Sequence, residues 1–263
     1  MATHIQPGSR LQQCRKRLQQ SIWMDASWSA LPLAAEEERE SLSEQRRRRA
    51  TCTRCGRPQK HCLCASLPAQ PLSSRGTIIV LQHPAEQKRT LATVPLLALC
   101  VQNVHVVRGR RYRQGRSAVL DAAIAAASRS HTPVPLLVLW PGPGAIDVSA
   151  VTLPLCSLNY TLVVFDGTWP QCAEMSKLFV PALSPPAQLV RLNIGNDADC
   201  RLRTAPAAGL VLTAEAVARA CASLELAAGS SAAGDVCDAI LAPLRLLVSL
   251  QNLHGPPKGV RGA

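Results

Sequence analysis

Six consecutive residues, Tyr160-Thr-Leu-Val-Val-Phe165, are aromatic, aliphatic or β-branched without a break. Such a run reads as a strand buried on both faces, and that requires helices on both sides of a parallel sheet. Asp166-Gly-Thr-Trp-Pro170 follows directly. Proline suits the start of a helix, where its missing N–H loses no partner, so a helix is expected from Pro170 through about Phe179. Asp166 to Trp169 then lies between the carboxyl end of a strand and the amino end of a helix. In open α/β sheets that crevice is where ligands bind. Asp166 would meet a substrate there, and Trp169 would offer a flat face for a base or adenine ring.

The same alternation runs through the chain. Apolar runs at 77–81, 104–107, 136–139, 162–165 and 188–192 read as strands. Helical patterns fall at 91–100, 117–127, 213–226 and 236–253, with Asp235 as N-cap of the last and Gly255-Pro-Pro257 ending it. Alternation of this kind implies an α/β fold, a mostly parallel sheet with crossover helices. Residues 1–50 carry little pattern and read as an extension, flexible or helical. Within it, the acidic run from Glu36 leads to Arg46-Arg-Arg-Arg49, either a solvated helix or a basic arm on RNA. A cysteine loop at 51–68 precedes the main domain at 69–254, and a tail occupies 255–263.

The length of 263 residues suits one α/β domain with extensions, and an apolar fraction of 47% supports a sizeable core. The formal charge is +12, most of it arginine. A basic surface of that size favours a polyanion, and arginine's planar fork favours phosphate. The alternative is a surface that is merely basic. Arg110, Arg111, Arg113 and Arg116 form a dense basic loop. No stretch approaches the ~18–20 apolar residues of a membrane span, and no secretory apolar segment follows Met1. The expected compartment is the cytoplasm, with the nucleus also open. Arg10, Arg15, Lys16 and Arg17 leave organellar targeting open, and the acids at 36–40 argue against it.

Four of the 11 cysteines fall within thirteen residues, as Cys52-x-x-Cys55 and Cys62-x-Cys64. Two close pairs on a tight loop supply what a tetrahedral zinc ion needs. The Gly56 turn and Pro58 help to fold the loop back. Reduced, unligated cysteines or a redox pair are the alternatives. Four thiolates leave no open position, so a zinc here is structural.

Read in order, the motifs are Cys52-x-Arg-Cys55-x-Arg-Pro58-x-x-x-Cys62-x-Cys64, Gln82-His-Pro-x-Glu86, Leu139-Trp-Pro-Gly142, Asp166-Gly-Thr-Trp169, and Arg203-x-x-Pro206 with Thr213-x-Glu215. Together they resemble the DTW-domain family, the tRNA-uridine aminocarboxypropyltransferases, over about residues 52–253. The Gln-His-Pro-Ala-Glu form is similar to that of the eukaryotic second-type members. The chain departs from the family's usual pattern at Trp140, Cys200 and Leu212. The resemblance implies a SPOUT-like sheet knotted near its carboxyl end. It also implies S-adenosylmethionine as donor, tRNA as substrate, and transfer of the 3-amino-3-carboxypropyl group to N3 of a uridine.

On that reading Asp166 is the general base for the N3 proton or a direct substrate contact, and Thr168 and Trp169 are catalytic candidates beside it. The competing role for Asp166 is a cap on the next helix. An exposed aspartate is a poor base for an imide, so the reading requires partial burial. Trp169 stacks on a base or fills the core. Trp140, Pro141 and Gly142, with Gly144, suit close approach of the donor's adenosine. Arg203 holds the donor carboxylate or a tRNA phosphate. Thr213 and Glu215 hold its amino group or cap a helix. His83, Glu86, Arg110, Arg111 and Arg113 are candidate substrate contacts, with a structural role as the alternative for His83. Two other functions compete. One is a methyltransferase with the same fold and donor. The other is a zinc-containing RNA-binding protein without catalysis.

Overall fold

The computed structural model describes residues 50–88, 92–154, 158–193 and 212–254. The expected strands form β1 (Gly76–Gln82), β2 (Val104–Arg108), β3 (Leu136–Leu139), β5 (Tyr160–Asp166) and β6 (Gln188–Arg191). A further two-residue strand, β4 (Ile146–Asp147), pairs with β6. The helices are α1 (Val94–Cys100), α2 (Ala118–Ala127), α3 (Trp169–Leu183), α4 (Thr213–Ala227) and α5 (Ala233–His254).

The strands form one sheet in the order β2-β1-β5-β3-β6-β4, and every pair is parallel. Side chains alternate between its faces with a period of two. Ile78, Val80, Leu162 and Val164 point toward α1, α4 and α5, against Leu97, Val217, Leu224 and Leu244. Ile79, Leu81, Val163 and Phe165 point the other way, toward α2 and α3, against Leu120, Met175 and Phe179. Both faces are covered, so β5 is buried at all seven positions. This is the physical content of its unbroken apolar sequence.

A buried tie closes the amino end of the sheet. Tyr160 donates its hydroxyl to Glu225 Oε1 of α4 at 3.1 Å, and the Arg75 backbone N–H donates to the same oxygen at 2.8 Å. Burial first, and then the nearby Cys221 and Glu225, push the Tyr160 phenol well above its ordinary range. Gly76 must be glycine here, because a Cβ would lie 2.4 Å from the Tyr160 ring.

The carboxyl ends of the strands carry the switch point. β1 leads outward to β2, whereas β5 leads through α3 to β6 on the opposite side. The two strands end side by side, with Gln82 level with Asp166 and, on its other side, with Arg108. A crevice opens where neighbouring strands send their connections in opposite directions.

Four helix starts differ from the sequence expectation, with α1 beginning at Val94 and α2 at Ala118. α3 begins at Trp169, and its N-cap is Thr168. Gln171 N donates to Thr168 Oγ1, and Gln171 Oε1 accepts from Thr168 N at 2.8 Å, a complete capping box. α5 begins at Ala233, so Asp235 lies inside the first turn and is not the cap. Its charge still complements the helix dipole there. The expected stop at Gly255-Pro-Pro257 and the extension at 1–49 lie outside the described residues.

Candidate functional site

Asp166 ends β5 and is 8% exposed. Its Oδ2 accepts from Gln82 Nε2 at 3.0 Å, and its Oδ1 accepts from the Thr213 hydroxyl at 2.9 Å. Its backbone carbonyl accepts from His83 N at 2.8 Å. β1, β5 and the first residue of α4 thus converge on one carboxylate. Each of its oxygens keeps a lone pair for a further partner. The cap of α3 is Thr168, so the carboxylate of Asp166 is not spent on that helix.

The next three residues follow from the same strand-to-helix turn. A Cβ on Gly167 would meet Gln171 Cβ at 3.2 Å and Cys172 Sγ at 3.3 Å, so a larger residue would press on the first turn of α3. The hydroxyl of Thr168 is committed to the cap. Trp169, half-buried, lies 5.9 Å from Trp140 with the rings inclined at 34°. Trp140 in turn meets Phe165 edge to face at 5.7 Å. The indole pair therefore joins the Asp166 turn to the loop after β3.

In that loop, Gly142 N donates to Trp140 O at 2.9 Å and Ala145 N to Gly142 O at 3.1 Å. Gly144 has a φ of +78°, which favours glycine. Pro141 is exposed on the same loop.

His83 and Glu86 are buried on the turn after β1. His83 Nδ1 accepts from Ala85 N at 3.2 Å, so a neutral ring carries its proton on Nε2. On α3 the buried Cys172 thiol is pushed up to about 12, chiefly by burial and then by the charges of Asp166 and Glu86. Both carboxylates thus act on one thiol beneath the turn.

Thr213 and Glu215 have separate roles. Thr213 reaches Asp166, whereas Glu215 is fully buried and pairs with Arg219 at 3.0 Å along α4. The N-cap position of α4 is Leu212, without a side-chain cap. Arg203 and Cys200 lie outside the described residues.

The basic loop follows β2. Arg108, Arg110, Arg111, Arg113 and Arg116 are all exposed. Asp121 of α2 holds the loop in shape: it accepts from the Tyr112 hydroxyl and, at 3.0 Å, from Gly115 N. Burial and the Asp121 carboxylate push the Tyr112 phenol up to about 12. The Arg46–Arg49 run lies outside the described residues.

Cys52, Cys55, Cys62 and Cys64 bring their sulfurs within 4.8 Å of one another. Gly56 turns the loop at a φ of +67°, and its N–H donates to Cys52 O at 2.9 Å. Cys52 Sγ is 3.4 Å from Cys64 Sγ, and Cys55 Sγ is 3.8 Å from Cys62 Sγ. Tetrahedral zinc with bonds of about 2.3 Å would set sulfurs about 3.8 Å apart. The four sulfurs fit that ion. Backbone N–H groups of Cys55 and Arg54 bring the Cys52 thiol down to about 6, whereas its bond to Cys52 pushes Cys64 up to about 12. Leu63, fully buried between the second pair, fixes the loop to the core. Arg57 adds a bond to Ala92 O at 3.1 Å.

Gln82 and Arg108 carry no role in the sequence reading, yet Gln82 is the direct partner of Asp166. The available signal is a polar side chain ending an otherwise apolar strand. No helix among the described residues is long and apolar enough to cross a membrane.

Residues 49–252 match the DTW domain family. The tRNA-uridine aminocarboxypropyltransferase 2 of Macaca fascicularis is 33% identical over 214 residues, covering 81% of this chain and 67% of that protein. The Drosophila melanogaster protein of the same description is 34% identical over 180 residues, 68% of each chain. The tRNA-uridine aminocarboxypropyltransferase A of Arabidopsis thaliana is 32% identical over 211 residues, covering 71% of this chain and 76% of that one. No solved structure matches the chain.

Proposed function

The chain belongs to the DTW-domain family, and from that premise and the site geometry we propose that it transfers a 3-amino-3-carboxypropyl group from S-adenosylmethionine to N3 of a tRNA uridine. The observation that carries the reading is the Asp166 carboxylate, fixed by Gln82 and Thr213 at the switch point between β1 and β5. The indole pair lies on one side of it and the arginine loop follows β2, the strand beyond β1.

S-adenosylmethionine supplies an electrophilic carbon beside its sulfonium. Asp166 takes the N3 proton as N3 bonds to that carbon, the carbon–sulfur bond breaks, and 5′-methylthioadenosine leaves. The donor has three carbons on sulfur, so choosing among them is a matter of alignment. The loop Trp140-Pro141-Gly142 holds the adenosine, where the turn at Gly142 and Gly144 brings backbone close. Arg203 holds the donor carboxylate. Thr168 orients Trp169 through the cap, and Trp169 presents its free area to the uridine. Thr213 positions Asp166, and the buried Glu215, paired with the half-buried Arg219, holds the first turns of α4. His83 and Glu86 border the uridine from β1. Arg110, Arg111 and Arg113 take tRNA phosphates.

Cys52, Cys55, Cys62 and Cys64 hold a structural zinc that fixes the loop at 51–68 to the domain at 69–254. The residues at 1–50 and 255–263 flank that domain. The sheet is of the SPOUT kind, with a deep knot near its carboxyl end. In support, all six strands are parallel, and β6 pairs between β3 and β4, two strands consecutive in sequence. The cytoplasm, where thiols stay reduced, is the matching compartment.

The test is incubation of the purified protein with labelled S-adenosylmethionine and tRNA, followed by mass spectrometry of the nucleosides. A uridine carrying the aminocarboxypropyl mass is expected. A methyl adduct would assign the chain to the methyltransferases instead. Binding of tRNA without any adduct would assign it to non-catalytic RNA binding.

A further inference from the structure

Gln82 faces two ways. Its Nε2 donates to Asp166 Oδ2 at 3.0 Å, and its Oε1 accepts from Arg108 Nε at 3.4 Å. A glutamine amide has one donor end and one acceptor end of nearly equal size. Turned over, Gln82 would set its oxygen against the Asp166 carboxylate, two acceptors in contact. Arg108 forbids that orientation, because a guanidinium offers donors only. With its oxygen turned toward the guanidinium, Gln87 also accepts from Arg108, at 3.1 Å from NH1 and 3.2 Å from Nε.

Arg108 is also placed to meet RNA. It ends the edge strand β2, is exposed, and stands two residues before the arginine loop. Gln82 and Gln87 engage its Nε and one N–H of NH1. The remaining fork, with NH2 at its centre, is free to meet a phosphate. Gln82, in contrast, is 5% exposed and fixed by the strand register between Arg108 and Asp166.

We propose that Arg108 and Gln82 are positioning residues that fix the orientation of the Asp166 carboxylate and couple it to a tRNA phosphate at the rim of the site. This rests on the proposed role of Asp166. Its content is distinct: Arg108 acts on the rate through Gln82, and not only on affinity. A phosphate on the free fork holds the guanidinium in place, and the guanidinium holds the amide. The carboxylate then has one orientation when the uridine arrives.

A double-mutant cycle tests this with Arg108→Met and Gln82→Met, which keep chain length and apolar volume. The readout is the single-turnover rate constant at saturating donor and tRNA. Loss of a hydrogen bond to a charged group predicts a fall of about 10- to 100-fold for Gln82→Met, with the KM for tRNA unchanged. Arg108→Met should lower the same rate constant and also raise that KM. In the Gln82→Met background, Arg108→Met should lower the rate no further, because its route to Asp166 is already cut. Arg108→Lys, which keeps a donor toward Gln82, should recover part of the rate. Multiplicative effects on the rate constant, or an Arg108 effect confined to KM, would overturn the inference.

A second readout needs no activity. The side-chain amide signals of Gln82 in a nitrogen-15 spectrum should move on Arg108→Met and on Asp166→Asn. Signals that stay in place in both variants would overturn the relay. If the wild-type protein transfers no group to tRNA, the functional reading fails, and these signals still decide whether the relay exists.

Discussion

Asp166→Asn separates the charge of this side chain from its place in the network. The carboxylate accepts from Gln82 Nε2 and from the Thr213 hydroxyl at 3.0 and 2.9 Å. Asparagine has nearly the same shape and offers one acceptor and one donor. Its oxygen can take the Gln82 amide while its NH2 faces Thr213, whose hydroxyl turns to accept. Both bonds survive in neutral form. Burying an amide costs less than burying a carboxylate, which offsets the weaker bonds, so the net loss of stability should stay below about 1 kcal/mol. Asp166→Ala has no such escape. It leaves the buried Gln82 amide without that acceptor, a cost of about 1–3 kcal/mol. For a chain of this size each kcal/mol shifts Tm by about 2–4 °C. Turnover should fall ~10²–10⁴-fold in both variants, the usual cost of losing a general base. Higher pH should restore part of the asparagine variant's rate, because hydroxide then removes the N3 proton. Thermal melting and single-turnover transfer of labelled donor group, over a pH series, read the two effects separately. Wild-type turnover in Asp166→Asn would refute the catalytic role. Equal destabilisation by asparagine and alanine would refute the hydrogen-bond argument.

Three further outcomes are expected. Metal analysis of the purified protein should give about one zinc per chain, and chelation should lower Tm; zinc-free protein with all four thiols open to alkylation under native conditions would refute the site. Affinity for tRNA should fall steeply with salt, and replacing Arg110, Arg111 and Arg113 by serine should reduce the log–log slope by about one for each phosphate that is no longer neutralised. Gly76→Ala should lower stability by about 1–3 kcal/mol in urea titration, because its Cβ would stand 2.4 Å from the buried Tyr160 ring; an unchanged midpoint would refute that packing.

The parts of the fold visible in the sequence are those fixed by local chemistry. β5 is legible because burial on both faces leaves no polar position to blur the run. The cysteine loop is legible because its four cysteines are close in sequence as well as in space. β4 is not: two residues have no period, and the strand exists through its pairing with β6, far along the chain. Nor does any local pattern state that β1 lies between β2 and β5. Thr168 is a different case. Thr168-Trp-Pro-Gln171 is a capping box in plain sequence. Its place in the Asp-Gly-Thr-Trp motif points toward chemistry, and the hydroxyl instead holds the turn that carries Trp169.

The site is visible in the sequence as residue types and invisible as a network. Gln82 and Asp166 are 84 residues apart, and Asp166 and Thr213 are 47 apart. Nothing local joins them. What joins them is the register that sets the last residues of β1 and β5 side by side, and the return of the chain at α4. A carboxylate that is 8% exposed needs partners close at hand, and the ends of these elements are the positions that can supply them. Gln82-His-Pro, Asp166-Gly-Thr-Trp and Thr213-x-Glu are therefore three views of one hydrogen-bonded object. A substitution in any of them should be judged first by what it does to the orientation of Asp166. Gln82→Met and Thr213→Val remove one partner each from different oxygens, and so should lower turnover by similar factors in the single-turnover assay. The far larger sequence distance between Thr213 and Gln82 has no bearing on that expectation.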